Sequence, residues 1–140
     1  MMRRACLAGV VLAVLLSGCR SYKASAVSGR VTLDGKPLPN ATVTFVPEAN
    51  APGKDPLPSS IGTTGEDGRY SLVFDNDSKT EGAVVGKHKV IITTGVQSSS
   101  TEGTRTLHKQ LPERYNRKSK LECEVPPGGR SDADFDLKSN

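Results

Sequence analysis

The chain has 140 residues, with 19 Lys and Arg against 15 Asp and Glu, 4% aromatic residues, no Trp and three cysteines. That length holds one domain once a targeting segment is set aside. The small excess of positive charge and the scarcity of aromatic rings give no basis for nucleic-acid binding.

Met1 to Arg4 carries two positive charges, and Ala5 to Leu16 is an uncharged, mostly apolar run of 12 residues. A membrane-spanning helix needs about 20 residues at 1.5 Å each, so this run is a secretory signal and not a span. Leu16, Ser17, Gly18 and Cys19 follow in order and resemble the lipobox of bacterial lipoproteins. The resemblance implies that the Cys19 thiol receives a diacylglyceryl group and that the signal, residues 1–18, is cut away before it. A thiolate is the strongest side-chain nucleophile for that alkylation. Two or three acyl chains bind a bilayer far more firmly than one, so the membrane is the first expected partner.

Removing 18 of 140 residues leaves 122, and the loss of Arg3 and Arg4 brings 19 basic residues to 17 against 15 acidic ones. Cys6 departs with the signal, and with Cys19 acylated only Cys123 remains, so no intramolecular disulfide can form. The polar stretch Cys19 to Ala26 reads as a tether that holds the domain within roughly 25 Å of the lipid.

From Val27 the pattern changes to period two. "VSGRVTL" aligns Val27, Val31 and Leu33, and "ATVTFV" aligns Ala41, Val43 and Phe45, with the turn formers "DGKPLPN" between them. "RYSLVF" aligns Tyr70, Leu72 and Phe74 after an Asp67-Gly68 turn. "GKHKVIITT" follows, with His88 on the parity of Val90 and Ile92. "KLECEV" and "DADFDLK" are parted by the turn "PPGGRS". Glu48 to Ser60 and Gly95 to Ser119 read as long loops. No mature segment keeps a 3.6-residue apolar stripe, so the expected fold is all-β, a small antiparallel sandwich of about seven strands.

Several of these stretches together, from "VSGRVTLDGKPLPNATVTFVP" through "GTTGEDGRYSLVF" and "LPERYN" to "DADFDLK", resemble the carboxypeptidase regulatory-like domains of transthyretin-like fold, over residues 27–138. The motif G-x-V-x-x-x-G-x-P-L-x-x-A-x-V followed by D-G-x-Y is matched by Gly29, Val31, Gly35, Pro37, Leu38, Ala41, Val43, Asp67, Gly68 and Tyr70. The resemblance implies a structural or binding module of an envelope lipoprotein. His88 stands where the family usually has an aromatic residue, and Gly65 stands where a D-x-D-G calcium loop would need an acid.

Enzymes share this fold, but their signatures are missing from the sequence. The hydrolase ending Tyr-Arg-Gly-Ser is replaced by "DLKSN", and the two histidines, His88 and His108, lie 20 apart where an iron-binding pair would be close. No catalytic set, cofactor or metal site is therefore expected; an accessory hydrolase using His88 or His108 is the alternative. Cys123, between Leu121 and Val125 in parity, reads as a buried small hydrophobe. Arg105, Lys109, Arg114, Arg117, Lys118 and Lys120 surround a single acid, Glu113, and form a candidate site for an anionic envelope glycan or lipid headgroup. Arg20 and Ser21 offer no acidic residue after the anchor, which favours an outer-membrane location where the cell has one.

Overall fold

The structure is a computed structural model and describes residues 22–48, 56–94 and 111–140. Leu16, Ser17, Gly18, Cys19, Arg105, His108 and Lys109 lie outside the described residues. The chain enters at β1 (Ala24–Ser25) and β2 (Ser28–Leu33), then passes through β3 (Lys36–Pro37) and β4 (Ala41–Pro47). Next come β5 (Ser60–Thr63), β6 (Arg69–Ser71), β7 (Val73–Phe74), β8 (Asp77–Glu81) and β9 (Ala83–Val84). The longest strand, β10 (Gly86–Thr94), leads to a 3-10 turn (Glu113–Tyr115), β11 (Leu121–Val125) and β12 (Phe135–Leu137).

Two sheets face each other. One has the order β11-β10-β4-β5-β7-β8; in the other β2 lies between β12 on one edge and β6, then β3, on the other. The alternation read from the sequence is what fills the space between them. β4 buries Ala41, Val43, Phe45 and Pro47 and turns Thr42 and Thr44 outward, and β10 buries His88, Val90 and Ile92. Leu72, Val31 and Leu137 complete the centre from the other strands, and Phe74 is buried beside Tyr22. Each such side chain contributes roughly 1.5 to 3 kcal/mol by leaving water. The fold is thus the expected all-β sandwich.

Its connections differ from simple hairpins. Asp34 and Gly35 both have positive φ, 51° and 80°, and fold β2 back onto β3; the chain then crosses to β4 in the other sheet. "PPGGRS" likewise carries the chain from β11 to the second sheet, where β12 lies parallel to β2, Phe135 beside Val31 and Leu137 beside Leu33. Residues 69–74 serve both sheets, β6 in one and β7 in the other, and the Leu72 N–H at the bend donates to the Val27 carbonyl at 3.0 Å. β5, β8 and β9 are strands beyond those read from the sequence. β5 is interrupted by Gly62, and every residue of β8 is exposed, so neither shows an apolar alternation.

The fold also begins earlier than the sequence suggests. β1 pairs with β9, Ala24 beside Val84 and Ser25 beside Ala83, and the Val85 N–H donates to the Lys23 carbonyl at 2.9 Å. Tyr22 packs its ring against Phe74, centroids 5.6 Å apart. Gly82 makes this possible, since a Cβ there would run into the Ser25 carbonyl. The stretch read as tether, 19–26, therefore belongs to the sandwich from Tyr22 onward.

The closing segment after β11 is tied to the chain before and within β2 by backbone hydrogen bonds, Arg130 N–H to the Ala26 carbonyl, Ser28 N–H to the Arg130 carbonyl and Ala133 N–H to the Ser28 carbonyl, and by one buried side-chain contact. Gly29 lies directly against the Ala133 backbone, where a Cβ would collide, and the Tyr70 hydroxyl donates to the Ala133 carbonyl at 2.6 Å. Replacing Tyr70 by Phe leaves that buried carbonyl without its donor, so Tyr70→Phe is expected to lose about 1 to 3 kcal/mol of stability. Urea unfolding checks this: the midpoint falls while the denaturant slope is unchanged, and an unchanged midpoint would show that the bond contributes nothing.

Candidate functional site

Strand pairing brings together two groups that the sequence lists far apart. His88 on β10 is directly opposite Cys123 on β11, and both point into the sandwich, 1% and 8% exposed. A histidine beside a thiol is the arrangement of a cysteine nucleophile and its base, provided the pair ionises. Here burial pushes the Cys123 thiol up, with Arg130 partly opposing it, and burial pushes the His88 imidazole down, against a hydrogen bond to the Gly86 carbonyl. Both shifts favour neutral groups, the reverse of an activated thiolate and imidazolium. His88 Nδ1 lies 3.1 Å from the Gly86 carbonyl, so a neutral ring donates its proton there, and its face packs 5.6 Å from Phe45. His88 fills an aromatic position of the core.

The second sheet carries a shallow polar depression of about 550 Å³, bordered by Ser28, Arg30, Thr63, Arg69, Ser131 and Asp134. Its charged groups are already engaged. Arg30 donates from Nε to the Asp67 carbonyl and from its backbone N–H to Asp134, at 3.0 and 2.8 Å. Asp67 accepts the Arg69 N–H at 3.1 Å and pairs with its guanidinium at 3.7 Å. With side chains 76% and 63% exposed, that pair adds little to stability. The Asp67 carboxylate thus shapes its own turn. Among the described residues no three His, Cys, Asp or Glu side chains gather as a metal site.

The basic segment is partly built into the fold. Leu111 and Tyr115 are buried, and the Tyr115 hydroxyl accepts the Lys138 N–H at 2.8 Å. Arg114 stacks over the Tyr115 ring at 4.9 Å and donates to the carbonyls of Lys138 and Asn140 at 2.6 and 2.7 Å. Its role there is to hold the last residues against the sandwich. Arg117 and Lys118 share the Glu113 carboxylate at 3.0 and 3.4 Å, with their side chains 82% and 78% exposed. Lys120 is exposed just before β11. Of the basic residues singled out in the sequence, Arg114, Arg117, Lys118 and Lys120 are described and all four are exposed, with Arg114 engaged by the carbonyls of Lys138 and Asn140.

The class of the chain, an all-β sandwich, rests on its own strand pairing. No protein-family profile matches it, and no curated protein does. Among solved structures it is similar to a DUF3823 family protein from Parabacteroides merdae, with 18% identity and a TM-score of 0.37. The match covers 84% of this chain and 46% of that one, so the chain spans less than half of that protein.

His88 is held below the ordinary imidazole value of 6.5 by burial. The unfolded chain then takes up the proton first, so stability is complete above that range and is lost as pH falls below it. Between about pH 7 and about pH 5, native protein is expected to lose more stability than His88→Phe, measured by urea midpoints at each pH. Equal losses would show that the imidazole is not held neutral.

Proposed function

We propose that this chain is a lipid-anchored protein of the bacterial cell envelope. Its single sandwich, a carboxypeptidase regulatory-like domain of transthyretin-like fold, serves as a non-catalytic structural or binding module. The observation that carries this reading is Leu16-Ser17-Gly18-Cys19 at the end of a charged, short apolar segment. Cutting before Cys19 would leave all of the described residues, Tyr22 and β1 included, in the mature chain. The neutral, buried state favoured for His88 and Cys123 supports a module without catalysis. With no acid after the anchor, an outer-membrane position is favoured where one exists. Intact mass of the native protein beside Cys19→Ser tests the anchor. The native chain should begin at Cys19 with added acyl mass and sediment with membranes, and the variant should lose both. An unmodified native protein recovered in the soluble fraction would overturn it.

A binding role has its own support in Arg117 and Lys118, two exposed cations sharing one acid. Reversing both to Glu, with Arg114 left in place, is expected to abolish salt-sensitive retention on anionic envelope glycan. Retention unchanged by the reversal, or absent at every salt concentration, would remove this reading.

A further inference from the structure

The two ends of the sandwich are chemically and topologically distinct. At one end lie Tyr22, Lys23, Val85 and Lys87: the Val85 N–H holds the Lys23 carbonyl, and the Glu48 N–H donates to the Lys87 carbonyl at 3.0 Å. Phe74, the seat of Tyr22, shares a row with Ser60, Phe45 and Val90 midway along the sheet, and β7 runs through it toward this end. At the other end the Asp34-Gly35 turn meets the end of β12, the Asp34 N–H donating to the Leu137 carbonyl at 2.9 Å and the Ser139 N–H to the Asp34 carboxylate at 3.1 Å. Thr94, paired with Ala41, closes β10 there. β10 runs between the two ends, and the eight steps between its nine residues, at about 3.3 Å each, make the sandwich roughly 26 Å long.

We propose that the end carrying Tyr22, Lys23, Val85 and Lys87 rests against the lipid headgroups, and that the Asp34-Gly35 end faces away from the membrane. This rests on acylation of Cys19. From Cys19 to Tyr22 there are three peptide steps, which span at most about 10 Å in any conformation. Tyr22 is itself fixed to Phe74, Lys23 to Val85, and the Ser25 hydroxyl to the Pro127 carbonyl at 2.7 Å. The chain between Cys19 and Tyr22 is therefore much shorter than the sandwich and cannot let it roll over onto its far end. Charge is not what sets the orientation, because Lys23 and Lys87 share this end with exposed Glu48 and Asp75. One consequence concerns the basic segment: Arg114 is tied to Lys138 and Asn140 beside the Asp34 turn. It is held at the outward end, away from the headgroups of the anchoring leaflet.

The test uses the acylated full-length protein in vesicles of phosphatidylethanolamine and phosphatidylglycerol that contain a nitroxide-headgroup lipid. A fluorophore is placed on Lys87→Cys or on Lys36→Cys, each in a Cys123→Ala background. Quenching is expected to be several-fold stronger at position 87 than at position 36; equal quenching, or stronger quenching at 36, overturns the orientation. Inserting about fifteen Gly and Ser residues between Ser21 and Tyr22, a reach of roughly 20 Å, should erase the difference. A difference that survives the insertion overturns the short tether as its cause. Intact mass separates the failures: acylated protein with equal quenching contradicts the orientation alone, whereas protein without acyl chains contradicts the anchor and the orientation with it.

Discussion

The contact of Tyr70 and Gly29 with Ala133 is the constraint on which the closed sandwich depends. β11 and β12 belong to different sheets, and the segment between them must cross an edge that would otherwise open the core to water. Ala133 reaches its place only because Gly29 has no side chain; its N–H donates to the Ser28 carbonyl, and the Tyr70 hydroxyl satisfies its buried carbonyl. Phe135 then enters the core edge-on to Phe45, centroids 6.3 Å apart, and β12 adds to β2 in parallel. Burial pushes the Tyr70 phenol above its ordinary range, so the donor keeps its proton where an exposed phenol would begin to lose it.

Much of this was legible in the alternation of single side chains. Val31, Val43, Phe45, Leu72, Phe74, Val90, Ile92 and Cys123 face inward as parity requires, because a strand that buries one face leaves no freedom in which residues fill it. What parity cannot express is partnership. It gives the face of His88 and of Cys123 but not that β10 and β11 pair in the register that sets them opposite each other. It gives β2 and β12 but not their parallel order, since a crossing loop and a hairpin loop share the same Gly and Pro content. β8 buries nothing and β1 is two residues long, so neither leaves a pattern. The engagement of Arg114 was unreadable for another reason: its acceptors are backbone carbonyls, which any residue supplies.

The entry of the chain is where the fold bears on function. A polar stretch after an anchor cysteine looks like slack, yet Tyr22 to Ser25 are bound by an aromatic contact, a backbone hydrogen bond and a strand pair. Docking at this point turns a flexible spacer into a short strap. In the proposed anchored state, the same strap that limits how far the domain can reach from the lipid also decides which end it shows to the rest of the envelope. If the module acts without catalysis, as proposed, its surface is its means of action, and which surface is presented then matters more than any single residue on it.

The docking of the entry strand is the central claim and can be measured directly by amide hydrogen exchange at Val85, whose N–H donates to the Lys23 carbonyl. The account predicts protection at Val85 comparable with that of the amides of β10. Exchange at Val85 as fast as in an open chain, while β10 stays protected, would mean that β1 is not part of the fold and that the strap is slack after all.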